Sequence, residues 1–335
     1  MKARSRFAVG NICAPKAQSI QLLLYREEIW SYVRVSPLPQ VHLMDRLRSA
    51  EAAFPVLRAG DQGQVIAKTM IQQAIDFRDE SDALFALLEP LEDEDWARKT
   101  QFKQWTINDI VAHLHLGNYL ADLSLKDAEA FTGFMRDLAA AGKPGAGRLD
   151  STHAWLDGTR NSELLYRWRD FYREMTERFA IAEPKRRVKW VGPDMSVLSS
   201  ITARLMETWA HGQAIYDLLG QERSAADRIK NVAVIGINTF GWTFANRGLP
   251  VPSTRPSVRL TSPSGATWEW NQPDQKNVIE GSAVEFCQVV TQTRNIADTK
   301  LKVIGETANV WMSIAQCFAG PPENPPLPGT RFRHG

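Results

Sequence analysis

The sequence predicts an α+β protein in which a four-helix bundle is followed by a smaller α+β domain. Apolar residues recur at helical spacing for about 150 residues from Met70. Short runs rich in β-branched and aromatic residues begin only after the breaker at 248–252. The chain has 335 residues and an apolar fraction of 44%, which suits about two domains with buried cores.

Four helices make up the predicted bundle, which spans residues 70–220. The glycine-rich residues 141–147 interrupt the helical pattern, and Gly220 ends it as a helix C-cap. Thr106 and Asp109 have the outline of a capping box, with Asp in place of the usual Glu or Gln. The predicted helices cover 70–91, 106–126 with a further helix at 127–141, 160–180 and 195–219.

The predicted C-terminal domain spans residues 221–320 and combines helices with short strands. A turn at 263–265 separates two β-type runs and indicates a hairpin. Residues 321–335 are rich in proline and are expected to form a loose tail. The predicted elements are a helix at 227–247, strands at 257–260 and 267–270, a helix at 283–292, a strand at 300–304 and a helix at 308–318.

The first 69 residues differ from the rest in charge. Residues 1–69 hold 10 Lys and Arg against 5 Asp and Glu, whereas residues 70–335 hold 30 against 33. Two interpretations compete: an organellar transit segment, which is typically basic and poor in acids, or sequence translated upstream of a later start at Met70. We favour the second, because Met70 opens a clean amphipathic run. We expect this N-terminal extension to be disordered, to lie outside the native protein and to contribute no catalytic chemistry.

Composition and motifs exclude several classes of protein. The net charge of +2 is too balanced for nucleic acid or an anionic membrane to be an obligatory partner. No apolar run approaches the length of about 18 residues that a membrane span needs. Cys13, Cys287 and Cys317 form neither a C-x-x-C pair nor a disulfide framework, which indicates a cytoplasmic protein. The alternative is a mitochondrial location, if residues 1–69 are a transit segment.

The first candidate metal ligands are Glu207 and His211, which are four residues apart on the last bundle helix. This spacing puts both side chains on one helix face, where they can approach the same ion. Both lie on a stripe directed into the bundle, and a buried carboxylate and imidazole need compensation. A buried Glu–His hydrogen bond, or a pair between Glu207 and Arg204, would provide it equally well.

The second helix supplies a third candidate ligand. A polar stripe of Asn108, His115, Asp122 and Lys126 places His115 on the solvent face of this helix. His113 falls on the opposite, apolar side. The helical wheels therefore predict a cluster of His113 with Glu207 and His211 that leaves one metal position open for water or substrate. The alternative is that His113 is a satisfied core residue.

Other residues invite weaker predictions. Arg247 ends a predicted helix, where it could bind the carboxylate of a cofactor or substrate or could interact with the helix dipole. Cys287 lies in an apolar helix and is expected in the core rather than as a nucleophile. His153 follows the glycine-rich loop and could belong to a lid or be solvated.

Five motifs are distributed over the helices and the C-terminal part. They are Gln-Trp-Thr-Ile-x-Asp-x-Val-Ala-His-Leu at 104–114, Arg-x-x-Glu-x-Trp-Ala-His-Gly at 204–212, Phe-Gly-Trp-x-Phe-x-Asn-Arg at 240–247, Phe-Cys-x-Val-Val-Thr-Gln at 286–292 and Ile-Ala-Gln-x-Phe-Ala-Gly-Pro-Pro at 314–322. Together they resemble the DinB-like proteins and, more closely, the mycothiol-dependent maleylpyruvate isomerase group, in a subgroup that is uncharacterised. The resemblance covers residues 70–331 and no earlier part of the chain.

The resemblance implies a metal site and a thiol chemistry. It carries over His113, Glu207 and His211 as ligands of a divalent ion, usually zinc, that holds a low-molecular-weight thiol such as mycothiol as thiolate. The implied activity is a thiol-dependent cis–trans isomerase or S-transferase acting on a small electrophilic substrate. A non-catalytic metal-binding or ligand-binding bundle protein is the alternative, since fold alone does not specify a reaction.

Overall fold

The computed structural model describes residues 70–141 and 148–334. The predictions for residues 1–69 lie outside the described residues, as does most of the predicted breaker at 141–147. None of the described helices is both long enough and apolar enough to cross a bilayer.

The N-terminal part is the predicted helix bundle. Its first helix packs against the two last long helices, and the second helix packs against the same pair. The capping box at the start of the second helix is confirmed: the Asp109 amide donates to Thr106 Oγ1 at 3.1 Å and the Thr106 amide donates to Asp109 Oδ2 at 2.8 Å. The helices are α1 (Gln72–Leu88), α2 (Ile107–Lys126), α3 (Ala128–Ala141), α4 (Arg148–Leu156), α5 (Asn161–Ala180) and α6 (Val197–Leu218), with a two-residue ribbon of β1 (Arg187–Val188) and β2 (Met195–Ser196) before α6.

The solvent face predicted for α2 is wrong at His115 and Asp122, which are buried, whereas Lys126 of the same stripe is exposed. Helices α3, α4 and α5 all pack on α2, and α4 was not predicted. His115 is only 2% exposed and lies between Trp155 of α4 and Phe171 of α5, with ring centroids 5.4 Å from each. Burial, with a smaller contribution from Arg167, lowers the pKa of His115 to about 3.

The C-terminal part is the predicted mixture of helices and strands, with two differences. The helix predicted over 227–247 is a 3₁₀ turn followed by two helices that meet at Thr239. The elements are α7 (Lys230–Asn238), α8 (Phe240–Ala245), β3 (Ser257–Thr261), β4 (Thr267–Trp270), β5 (Val278–Ser282), α9 (Ala283–Val290), β6 (Lys302–Ile304) and α10 (Glu306–Ile314). Strand β5 was not predicted; it pairs in parallel with β3 at the centre of a sheet of order β4-β3-β5-β6.

One continuous hydrophobic core joins the two parts of the chain. Its buried side chains extend from Phe77 in α1 to Phe286 and Cys287 in α9. The prediction of a buried Cys287 is confirmed, and burial raises the pKa of its thiol well above the ordinary value. Helices on both sides of residue 220 contribute to this core. The domain boundary at residue 220 stays a prediction.

The proline-rich tail is fastened to the rest of the structure as far as residue 334, which contradicts the expected loose conformation. Arg331 Nη1 donates to the carbonyl oxygen of Gln292 at 2.6 Å, and the His334 amide donates to the carbonyl oxygen of Asp217 at 2.8 Å. The tail's composition suggested disorder, but proline also lowers the conformational entropy lost on docking.

A buried ion cluster links α1 to the segment after α6. Glu80 is 3% exposed and accepts hydrogen bonds from Arg223 and Arg228. Arg223 also donates to the Trp209 carbonyl oxygen at 2.7 Å. Burial alone would raise the pKa of Glu80, but the two guanidinium groups outweigh it and hold that pKa below its usual value. The cluster thus ties the bundle to the chain that leads into the C-terminal part.

We predict that Glu80→Gln lowers the free energy of unfolding by about 3–5 kcal/mol, because the shielded guanidinium of Arg223 and the partly buried one of Arg228 lose their counter-charge. Urea denaturation near pH 7 measures this. Glu89→Gln, at the exposed end of the same helix, should change stability by less than about 0.5 kcal/mol. Since the pKa of Glu80 is lowered on folding, its contribution is complete above the ordinary Glu value and is lost as the pH falls through the folded value. An equal effect of both substitutions would contradict the assigned role of the cluster.

Candidate metal centre

Helices α2 and α6 place three potential ligands at one point in the bundle. The capping box at Thr106 fixes the start of α2, and His113 follows two turns later. Glu207 and His211 lie one turn apart in the middle of α6 and project from one face of that helix. Because α2 and α6 pack against each other, the three predicted residues come together although His113 and Glu207 are 94 residues apart.

Both imidazoles converge on a single carboxylate oxygen. Nε2 of His113 lies 3.1 Å from Glu207 Oε2, and Nε2 of His211 lies 3.2 Å from the same oxygen. One potential ligand atom from each residue falls within 4.8 Å of the others. Among the described residues no fourth His, Cys, Asp or Glu joins this group. The predicted Glu–His hydrogen bond and the predicted ligand cluster are therefore formed by the same atoms.

The electrostatics of the site favour the protonation states that bind metal. Burial lowers the pKa of His113 to about 4, against the opposing effect of its hydrogen bond to Glu207. Burial would raise the pKa of Glu207, but the hydrogen bonds from both histidines and the charge of Arg204 hold it well below the usual value. Near neutral pH the cluster thus offers a carboxylate and a neutral His113, as metal ligation requires.

The donor set also fits a divalent ion such as zinc. Two imidazole nitrogens and one carboxylate oxygen are ligands typical of catalytic zinc, which keeps one position for water or substrate. The side chains of His113, Glu207 and His211 are 15%, 19% and 13% exposed, so the group is shielded but still reached by solvent. His113, Glu207 and His211 therefore fit the divalent ion that the resemblance implied.

Arg204 provides a positive charge behind Glu207. Its Nη2 lies 4.0 Å from Glu207 Oε1, and its guanidinium lies over the ring of Trp190. A Cβ atom at residue 117 would lie 1.9 Å from Arg204 Nη1. Gly117 on α2 is thus required for this close approach. The predicted contact between Arg204 and Glu207 exists, and it adds to the histidine contacts instead of replacing them.

A short aromatic hairpin, residues 99–106, forms one wall of the cluster. Trp105 stacks on His211 with an angle of 7° between the rings and a centroid distance of 5.7 Å, and it lies 5.4 Å from the ring of His113. Phe102 meets His211 edge-on at 5.0 Å. Trp105 stands within the motif at 104–114, but neither aromatic residue was predicted to have a role. Their position directly before the capping box was the available signal.

The hairpin turn has an unusual backbone. Lys103 and Gln104, its two central residues, have φ values of 50° and 58°, and the Trp105 amide donates to the Phe102 carbonyl oxygen at 2.9 Å. Two successive left-handed residues define a type I′ turn, which usually contains glycine or asparagine. With residues other than glycine or asparagine, the left-handed conformation costs conformational free energy. Such strain is typical of backbone that holds a functional site.

Other candidate residues are engaged elsewhere. Arg247 donates to Asn324 Oδ1 at 3.0 Å and to the Glu323 carbonyl oxygen in the tail; its proposed part in cofactor binding remains a prediction. His153 contacts Asp109 Oδ1 at 2.7 Å, beside the start of α2. The structure therefore brings together the three predicted ligands and gives Arg247 partners within the chain.

Comparison with known proteins identifies relatives for most of the chain. The sequence profile described as the mycothiol maleylpyruvate isomerase N-terminal domain matches residues 77–216, a range that contains all three candidate ligands. Uncharacterized proteins from two strains of Mycobacterium tuberculosis are each 38% identical to this chain over 247 residues. These alignments cover 74% of this chain and 95% of each relative.

Solved structures that align with this chain include the mycothiol-dependent maleylpyruvate isomerase and a histidine-to-alanine variant of it. The variant aligns with a TM-score of 0.43 at 13% identity, and the unmodified protein with 0.41 at 12% identity. Each alignment covers 65% of this chain and 87% of the solved chain.

Proposed function

We propose that this chain, which belongs to the mycothiol maleylpyruvate isomerase family, binds a divalent metal ion through His113, Glu207 and His211 and is a thiol-dependent enzyme. The observation that carries the proposal is the convergence of both imidazoles on Glu207 Oε2, at 3.1 and 3.2 Å. We expect zinc as the metal, because the nitrogen and oxygen ligands suit it. We expect a thiol of the mycothiol class as the second cofactor, because the family to which the chain belongs is named for mycothiol.

A bound divalent ion would supply the charge that keeps a thiol, with a pKa of about 8.5 in solution, in its nucleophilic thiolate form at neutral pH. The residues of the chain prepare the place for it. Glu207 brings a negative charge that offsets the ion; the hydrogen bonds from both histidines and then the charge of Arg204 hold its pKa well below the usual value. Phe102 and Trp105 fix the ring of His211 from two sides and limit the access of water.

The proposed reaction is addition of the thiolate to an activated alkene. The thiol, when bound, would supply a sulfur nucleophile that bonds to one alkene carbon while the electron pair of the double bond moves to the activating group. Rotation about the former double bond and departure of the same thiolate would restore the double bond in the other geometry, which is cis–trans isomerisation. Protonation without departure of the thiolate would give an S-conjugate instead, which is S-transfer to a small electrophile.

We predict that the purified wild-type protein retains about one divalent ion per chain and that His113→Ala loses most of it, because one of three ligands is removed. Elemental analysis after dialysis measures the bound metal. His115→Ala is the matched control, since it removes an imidazole from the same helix two residues away. It should keep the ion, although it leaves a cavity between Trp155 and Phe171 and lowers the melting temperature.

Circular dichroism separates loss of ligand from loss of fold in this comparison. Both variants should keep the helical spectrum of the wild type. If the His113 variant retained metal and the His115 variant lost it, the assignment of ligands would be wrong. Retention of the ion by both variants would leave the three residues as a hydrogen-bonded core cluster and would end the metal proposal.

We predict that mycothiol stabilises the metal-loaded protein and gives the metal-free protein little protection. A ligand that binds only the folded, loaded state adds about 2.7 kcal/mol at 100 times its Kd. Thermal melting with increasing thiol measures the effect, and the same titration with S-methylated mycothiol is the control, because a thioether cannot form a thiolate. Equal stabilisation of the loaded and metal-free proteins would show that thiol binding does not depend on the metal.

A further inference from the structure

The C-terminal tail is bonded to the aromatic hairpin near both of its ends. Lys103 at the turn forms an ion pair with Glu323, with Nζ and Oε1 2.9 Å apart. Gln101 accepts a hydrogen bond from the Phe332 amide at 2.8 Å, and its Nε2 lies 3.0 Å from His334 Nε2. Both ends of the tail therefore contact the same short hairpin, more than 200 residues away in sequence, as the separations of 220 and 231 residues show.

Arg331 contacts the hairpin at Phe102, the aromatic residue that meets His211. Its guanidinium lies 5.1 Å from the centroid of the Phe102 ring, within the range of a cation–π interaction. Its Nη1 is fixed by the carbonyl oxygen of Gln292 at 2.6 Å. The Phe102 ring in turn lies 5.0 Å from the ring of His211. A chain of contacts thus runs from the end of α9 through Arg331 and Phe102 to a candidate metal ligand.

The hairpin needs such external support. Within it, the described strand pairing consists of one bridge between Lys99 and Thr106, and an isolated two-stranded hairpin is only marginally stable in water. The left-handed Lys103 and Gln104 add a cost of roughly 1–2 kcal/mol each. Strained backbone of this kind persists when surrounding contacts hold it, and the tail supplies contacts to Gln101, Phe102 and Lys103.

We infer that residues 323–334 act as a strap that holds the aromatic hairpin against His211, and that Arg331 is a positioning residue that acts through Phe102. The inference goes beyond the proposed function, because it concerns the chain's own contacts and holds with or without a metal ion. The strap makes the orientation of a bundle residue depend on the C-terminal part of the chain. It also gives the tail a role that its proline-rich composition did not predict.

Hydrogen exchange of the full-length, metal-free protein tests the strap directly. The amides of Thr100 and Trp105 are bonded within the hairpin, at 2.8 and 2.9 Å, and report its opening. In Arg331→Ala these amides should exchange roughly tenfold faster, because a cation–π contact and a hydrogen bond to a carbonyl are both lost. Amides in the middle of α5 should not change. Arg331→Lys keeps the charge and should restore part of the protection.

Arg333→Ala is the matched control in the same tail. Arg333 is exposed and contacts Glu222 at 3.4 Å, so its loss should leave the hairpin amides as in the wild type. Unchanged exchange in Arg331→Ala, or equal acceleration in both alanine variants, would overturn the role of Arg331. Gln101→Ala removes the bonds to Phe332 and His334 from the hairpin side. It should also accelerate hairpin exchange, and the absence of any effect would overturn the strap.

The rate at which zinc is released to a chelator is a second measurement. A tail with a purely structural role would leave this rate unchanged. Loaded Arg331→Ala should lose zinc several-fold faster than the wild type at an unchanged helical spectrum, whereas Arg333→Ala should match the wild type. Faster hairpin exchange without faster zinc release would overturn the link to His211. A chain that binds no zinc would refute the metal proposal, and the exchange experiment on the metal-free protein would still decide the strap.

Discussion

The site depends on one oxygen atom, Glu207 Oε2, that two imidazoles from different helices approach at hydrogen-bond distance. A carboxylate this shielded must be compensated. His113, His211 and Arg204 provide that compensation from three directions, and α2 and α6 must come close enough for it. Gly117 leaves room on α2 for the Arg204 guanidinium, because any side chain there would meet it. The packing of the two helices and the electrostatics of the cluster are therefore set by the same few residues.

The surroundings of the cluster are assembled from distant parts of the chain. The aromatic hairpin precedes α2, the ligands lie on α2 and α6, and the tail that contacts the hairpin follows α10. The buried Glu80 cluster and the continuous core connect the bundle to the elements after residue 220. In this arrangement the C-terminal part supports a wall of the candidate metal centre, and the ligands themselves all come from the bundle.

Helical periodicity was sufficient to predict the bundle and the three candidate ligands, because residues at positions i and i+4 share a face wherever the helix lies. It failed for His115, since solvent exposure depends on whether another element covers that face. Helix α4 was missed because its nine residues include only a few large apolar side chains. Strand β5, with a single fully buried residue, Ile279, lacks a clear alternating pattern. The roles of Phe102 and Arg331 arise from contacts between distant segments, which no local pattern reports.

X-ray absorption spectroscopy at the zinc edge tests the central claim most directly, because it reports the atoms bound to the metal. The zinc-loaded protein should show only nitrogen and oxygen ligands, with the scattering pattern of two imidazoles. After addition of mycothiol, a sulfur ligand at about 2.3 Å from zinc should replace one oxygen ligand, while both imidazoles remain. A sulfur ligand before any thiol is added, or a shell of nitrogen and oxygen that does not change at saturating thiol, would contradict an open thiolate position on His113, Glu207 and His211.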